Sequence, residues 1–264
     1  MSTPLMQPTT GVSPVALVTG AGRRLGEFIA RELAAHGYRV VLHASGSFAR
    51  AEATARELSA GGVEAFALEA DLRDERATRA MLGAAHARFG RMDALVNNAA
   101  IWNSKPLETI TAADVREHFE INTLGTFLCC QEVGLRMVAQ PEGGAIVNIG
   151  DWATARPYLD HAAYFAAKGS IPTLTRALAV ELASRNPRVR VNAVLPGPVL
   201  WNEKLSDAER RQAIEATLVQ RAGTPGDVAQ AVLFLLQNTF ITGICLPVDG
   251  GRSVYSSAPG NHNR

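Results

Sequence analysis

Short, uninterrupted apolar runs alternate along this chain with longer stretches in which apolar residues recur every third or fourth position. Residues 15–19, Val-Ala-Leu-Val-Thr, form such a run and lead into glycine, the pattern of a strand buried on both faces. Residues 27–36 have helical periodicity, with Gly37 where a helix would stop. The alternation then repeats: 39–43 predicts a strand, 48–60 a helix closed by Gly61-Gly62, 63–68 a strand, 74–89 a helix and 92–97 a strand. In the second half, Thr111 as N-cap with Asp114 in the first turn opens a long helix over 111–140. A strand over 145–149, one helix over 160–184 and a strand over 189–195 follow, the last halted by Pro196-Gly197-Pro198. Ser206 and Glu209 have capping-box spacing, Thr224-Pro225 caps another helix, and 244–248 is a final strand. This β-α rhythm predicts an α/β fold, a doubly wound parallel sheet with helices on both faces. No repeat and no shift of composition divides it, so one domain is expected over 1–264, with 1–13 and 256–264 as loose arms.

Composition narrows what such a fold is for. The chain has 264 residues, of which 47% are hydrophobic, enough for a large single core. Its 26 basic and 25 acidic side chains leave a net charge of +1, which argues against a nucleic-acid or anionic-membrane partner. Cys129, Cys130 and Cys245 show neither metal-ligand nor disulfide spacing, so no metal is expected and a reducing, cytoplasmic setting fits. The first fourteen residues show neither a positive n-region nor an apolar h-region and no run of eighteen apolar residues occurs, so a soluble, unexported protein is expected.

The candidate chemistry starts with Tyr164 and Lys168, four residues apart on one helix face. An ammonium ~4 Å from a phenol at an effective dielectric near 20 favours the phenolate by roughly 4 kcal/mol, on the order of three pKa units before desolvation, which would make Tyr164 a proton donor suited to neutral pH. Thirteen residues before the tyrosine stands a carboxylate, Asp151. Glycines at 20, 22 and 26 turn the first strand into the first helix, where backbone N–H groups and a helix N-terminus receive a pyrophosphate, although the spacing is not G-x-G-x-x-G.

Thr19-Gly20-x-x-x-Arg24-Leu25-Gly26, Asn97-Asn98-Ala99, Asn122, Tyr164-x-x-x-Lys168 and Pro196-Gly197 occur in this order, and over residues 15–252 the chain resembles the short-chain dehydrogenase/reductase family. That resemblance implies a single-domain Rossmann fold and a nicotinamide cofactor held by Gly20, Arg23, Arg24, Leu25, Gly26, Asp71, Leu72, Asn97, Ala99, Tyr164, Lys168, Pro196 and Gly197. Tyr164 would donate the proton, Lys168 lower its pKa and hold the ribose, Asn122 support a relay water, Asp71 meet the adenine and Asn97 steady the central strand. Most members carry glycine where this chain has Arg24 and serine where it has Asp151. A carboxylate there raises the tyrosine's pKa and opposes a developing alkoxide, but suits a ring with N–H groups. Arginine and aspartate at these places, with Trp102 as a stacking platform, resemble the pteridine reductases. They imply reduction of a small-molecule pterin, with Arg24, Trp102, Asp151 and Tyr164 contacting it. The alternatives are a ketone or 3-oxoacyl reductase and a cofactor-binding sensor without turnover. No acid ends the second strand, where Ser45 and Ser47 with Arg23 suit the 2′-phosphate of NADPH. The family's habits imply a homotetramer joined through helices 111–140 and 160–184 and the last strand.

Overall fold

The computed structural model describes residues 13–200 and 206–255, so the expected loose arms fall almost wholly outside the described residues. Seven strands, β1 (Val15–Val18), β2 (Arg39–Ala44), β3 (Ala65–Glu69), β4 (Ala94–Asn97), β5 (Gly144–Ile149), β6 (Val189–Pro196) and β7 (Cys245–Val248), form one parallel sheet in the order β3-β2-β1-β4-β5-β6-β7. The helices are α1 (Arg24–Ala35), α2 (Phe48–Ala60), α3 (Glu75–Phe89), α4 (Ala112–Phe119), α5 (Thr126–Ala139), α6 (Ala162–Lys168), α7 (Ile171–Ala183), α8 (Asp207–Glu215) and α9 (Pro225–Gln237). Successive residues of a strand face opposite sides of the sheet. Thus Ala16 and Val18 enter a core with Ile29, Leu33, Val232 and Leu235, while Val15 and Leu17 enter a second core with Leu82, Met137 and Leu182. Both faces are covered, which is why the strands are apolar without alternation.

The capping residues read from sequence are in place. The side chains of Thr111, Ser206 and Thr224 accept the N–H of Asp114, Glu209 and Asp227, whose carboxylates accept the cap N–H in return. Two expected helices differ. The helix expected over 160–184 is two, because Pro172 has no N–H for the Lys168 carbonyl and its ring crowds that carbonyl; α6 therefore ends at Lys168 and α7 starts at Ile171. The helix over 111–140 contains a π-helical segment, Glu120–Gly125, between α4 and α5. Thr123 within it hydrogen-bonds the Ala167 carbonyl at 3.1 Å, so the extra-wide turn is fastened to the end of α6. No helix among the described residues is long and apolar enough to cross a membrane.

The strand order reverses between β1 and β4, and ligands of open parallel sheets bind beyond the carboxyl ends of the strands at such a point. There the Thr19 hydroxyl accepts the N–H groups of Asn98 and Ala99, both at 3.0 Å, and the Asn98 amide donates to the carbonyls of Thr19 and Gly20. The turns after β1 and β4 are thereby locked together as one wall.

Candidate active site

A cleft of about 1560 Å³ lies over these strand ends. Single-ligand pockets run to roughly 300–1,000 Å³, so this one has room for a dinucleotide and a second molecule together. Its floor is the glycine turn. Gly20 has φ +65°, and a Cβ there would stand 2.8 Å from the Ala99 Cα; one on Gly22 would meet the Ser47 hydroxyl at 2.3 Å. Gly26 lies behind the wall, where a Cβ would meet the Gly20 oxygen at 2.2 Å, so it sets how closely α1 approaches β1. The buried Glu27 fixes α1 to α2 through Arg50 (2.9 Å) and through Arg31, which also reaches Glu57 (2.7 Å).

At one end the cleft is lined by Arg23, Ser45, Ser47, Asp71 and Leu72. His43, buried at the end of β2, offers Nδ1 to the Gly20 N–H (3.4 Å) while Nε2 meets the Ala70 carbonyl (3.1 Å); this pairing places its one proton on Nε2, and burial holds its pKa below the usual histidine range. It is therefore a neutral strut and not a phosphate-binding cation. Asp71 is gripped by Arg73, absent from the sequence reading, with Nη2 at 2.6 Å, and these hydrogen bonds hold the carboxyl below its ordinary pKa. A donor set of backbone N–H groups at the start of α1, hydroxyls and Arg23 fits a phosphorylated dinucleotide.

The other end brings Asp151, Tyr164 and Lys168 together on β5's exit and α6. The Tyr164 hydroxyl donates to Asp151 Oδ2 at 2.7 Å, and Asp151 Oδ1 accepts the Ala153 N–H at 2.8 Å. Lys168, 3% exposed, donates to the Ile149 carbonyl at 2.7 Å. Burial raises the Asp151 pKa despite the hydrogen bonds and the nearby Lys168 charge. Tyr164 is displaced upward, first by burial and then by the Asp151 charge and hydrogen bond. The expectation that Lys168 lowers the Tyr164 pKa is thus corrected: burial first, and then the Asp151 carboxylate in direct contact, push the phenol up, and burial brings Lys168 itself down to about 8. The accompanying expectation that Asp151 raises the tyrosine agrees with the geometry.

Trp102 lines the same end. It stacks on His161 with centroids 4.5 Å apart and donates Nε1–H to the Tyr158 hydroxyl at 2.8 Å, so it is braced as a flat wall. Tyr158, His161 and Trp152 were not anticipated as cleft residues; the signal available was the run of aromatic residues between the aspartate and the tyrosine. Pro196, Gly197, Leu25 and Ala99 reach the cleft as well. Asn97 and Asn122 do not line it. Asn97 donates to Asn148 Oδ1 (2.9 Å), tying β4 to β5, and the Asn122 amide is spent on both polar groups of the Ile101 main chain (2.9 and 3.0 Å). Asn122 is thereby a positioning residue for the loop that carries Trp102.

Arg24 occupies the cleft wall at φ +53°, the left-handed region where an L side chain costs roughly 1–2 kcal/mol. Strain of this kind persists where a side chain serves a ligand. Arg24→Gly is expected to raise stability by about 0.5–1 kcal/mol, after glycine's greater unfolded-state entropy is subtracted, while weakening ligand affinity by roughly tenfold. Urea denaturation beside a cofactor titration checks both; lower stability with unchanged affinity would make Arg24 a structural residue only.

Comparison with known proteins follows the same lines. A family described as enoyl-(acyl carrier protein) reductase matches residues 20–253. The 3-oxoacyl-[acyl-carrier-protein] reductase of Staphylococcus aureus is 36% identical over 240 residues, 89% of this chain and 96% of that protein. Among solved structures, a protein of Sinorhizobium meliloti provisionally assigned as a short-chain alcohol dehydrogenase superposes with a TM-score of 0.86 at 32% identity, over 94% of this chain and all of the other. A blue fluorescent protein from a metagenomic library, solved with NADPH, gives 0.83 at 33% identity over 90% and 97%. Relatives named for 3-oxoacyl reduction speak for the expected alternative of ketone or acyl reduction more than for the pteridine reductase subtype.

Proposed function

The chain belongs to the short-chain dehydrogenase/reductase family, a nicotinamide-dependent oxidoreductase with the family's sheet, and from that premise we propose that it is an NADPH-dependent reductase of a C=N bond in a flat nitrogen ring, a dihydropterin. The observation that carries this reading is the Tyr164–Asp151 hydrogen bond at 2.7 Å. An ionised carboxylate touching the proton donor repels an alkoxide forming from a ketone, whereas the N–H groups of a pterin give it something to accept. Trp102, braced by Tyr158 and His161, supplies a wall for the ring, and Arg24 supplies donors for ring oxygens or cofactor phosphate.

The reduced nicotinamide supplies the hydride. Tyr164 delivers the proton to the neighbouring ring nitrogen and, left as a phenolate, is reprotonated from solvent through the open cleft, while the Asp151 carboxylate, 2.7 Å from the hydroxyl, orients it and accepts a ring N–H. Lys168, charged below about pH 8, stabilises that phenolate from inside the site. Arg23, Ser45 and Ser47 support the choice of NADPH, and a KM for NADH equal to that for NADPH would sink it. The expected tetramer is carried forward on Leu124, Leu135 and Val180, exposed apolar residues on or beside α5 and α7.

The second reading, a 3-oxoacyl or ketone reductase, is favoured by the names of the relatives. The two part on Asp151→Ser. NADPH consumption is to be followed with dihydrobiopterin, dihydrofolate, acetoacetyl thioesters and simple ketones. On the pterin reading the wild type turns over the pterins, and the serine variant loses at least roughly tenfold in kcat for them. Turnover confined to the ketones and thioesters, improved by serine, would move the assignment to carbonyl reduction.

A further inference from the structure

The cleft end that holds Asp151 and Tyr164 also holds two positive charges that the reduction does not use. Arg156 and Arg252, 96 residues apart in sequence, both line it. Arg156 follows the short 3₁₀ turn after β5 and donates Nη1 to the main-chain oxygens of Arg252, at 2.8 Å, and of Tyr255. Arg252, past the end of β7, lies over the Trp152 ring with its guanidinium carbon 4.6 Å from the centroid and donates Nη1 to the Ala213 carbonyl at 3.0 Å. Both guanidinium groups are thus held by fixed partners, and the described residues leave their Nε and Nη2 donors without an acceptor.

Their electrostatics are incomplete. Arg31, Arg50, Arg73, Arg79, Arg91 and Arg221 each pair with a carboxylate within 4.0 Å; among the described residues Arg156 and Arg252 pair with none. The acids around them hold other partners: Asp249, whose charge is felt at Arg252, accepts the N–H groups of Gly251 and Ser253 at 2.9 and 2.6 Å, Glu209 accepts the Ser206 N–H and hydroxyl at 2.8 and 2.7 Å, and Asp151 accepts Tyr164 and the Ala153 N–H. The two arginines line one cleft, the Arg156 guanidinium reaching the Arg252 main chain, and they repel one another: the Arg252 pKa lies below the arginine range because of burial and the Arg156 charge. An oxyanion between them turns that repulsion into two charge-assisted hydrogen-bonded contacts.

We propose that Arg156 and Arg252 form a subsite for an oxyanion, a carboxylate or a phosphate, carried by the substrate beyond the bond that is reduced. The proposal rests on the reading of the cleft as a reductase site and narrows its substrates to anionic ones. A substrate tail bearing an oxyanion would take up both donors, and a neutral analogue would leave them to water.

The test compares substrates in neutral and charged pairs. Dihydrobiopterin against dihydrofolate varies a carboxylate tail, and acetoacetyl-N-acetylcysteamine against acetoacetyl-coenzyme A varies phosphates. The expected result is a kcat/KM ratio of charged to neutral member of at least roughly tenfold in one pair, carried by KM and shrinking as salt is raised. In Arg252→Gln the ratio should fall toward one, with Arg252→Lys restoring part of it. Arg156→Gln should act likewise; because Arg156 also fastens the main chain at 252–255, its melting curve is compared first with that of Arg252→Gln. A ratio near one in both pairs, or one the substitutions leave intact, overturns the subsite. Should no pair turn over, the reductase reading fails on its own. The subsite is then decided by tryptophan-fluorescence titration of the NADP⁺-saturated protein with folate and biopterin: tighter folate binding that Arg252→Gln abolishes keeps it, and equal binding removes it.

Discussion

Tyr164→Phe is expected to lower kcat by roughly 10²–10⁴, the span of a lost general acid, while the protein still folds and still takes up NADPH. The exchange removes one oxygen from a side chain 5% exposed and leaves the packing of α6 against α4 in place. It also removes the donor to Asp151 Oδ2 at 2.7 Å. That hydrogen bond opposes the upward shift that burial imposes on the aspartate, so in the phenylalanine variant the Asp151 pKa moves further upward. Residual activity should then be favoured by low pH, which protonates Asp151 and lets its carboxyl donate where the phenol did. Single-turnover rates against pH, with cofactor affinity measured separately, check this. Retained turnover would end the assignment of Tyr164 as donor, and parallel loss of turnover and NADPH binding would make it structural.

Much of the frame was legible because central strands buried on both faces read as short apolar runs, as in Val15–Val18 and in residues 40–42 of β2. Caps were legible for a similar reason: Thr111–Asp114 and Ser206–Glu209 settle their own helix ends within four residues. The division of α6 from α7 was also written in the chain, at Pro172, but the alanine-rich periodicity on both sides hid it. The π-helical segment was not legible, since it answers to Thr123 meeting Ala167, a contact between elements. In the site, the spacing of Asp151, Tyr164 and Lys168 predicted that they meet, yet not the direction of the tyrosine shift, which follows from burial and from the carboxylate lying in hydrogen-bond contact. Arg73, Arg156 and Arg252 carry no motif; turns alone bring them to the cleft.

Lys168→Met is expected to abolish turnover, by more than roughly 10², and yet to stabilise the cofactor-free protein near neutral pH. The ammonium is fully buried, and burial lowers its pKa from 10.5 to about 8, Asp151 opposing only part of that. Below pH 8 the lysine is charged in both the folded and the unfolded chain, and the folded state carries the whole cost of the buried charge, roughly 3 kcal/mol for a displacement of this size. Between pH 8 and 10.5 the folded chain has released its proton and the unfolded chain has not; the unfolded state binds more protons, and wild-type stability rises with pH. Methionine has similar length and no charge, but forfeits the hydrogen bond to the Ile149 carbonyl, worth about 1 kcal/mol net. The variant should therefore gain about 2 kcal/mol at pH 7, and the gain should vanish near pH 10, where the folded lysine is neutral and the remaining cost of its lost proton, about 1 kcal/mol, only matches the lost hydrogen bond. Urea denaturation of the cofactor-free proteins at pH 7 and pH 10 measures this difference, with cofactor omitted because binding would stabilise the wild type by mass action. Destabilisation by methionine at pH 7 would show that Lys168 is a net structural support; stabilisation with loss of turnover would mark it as a charge kept in the core for the reaction.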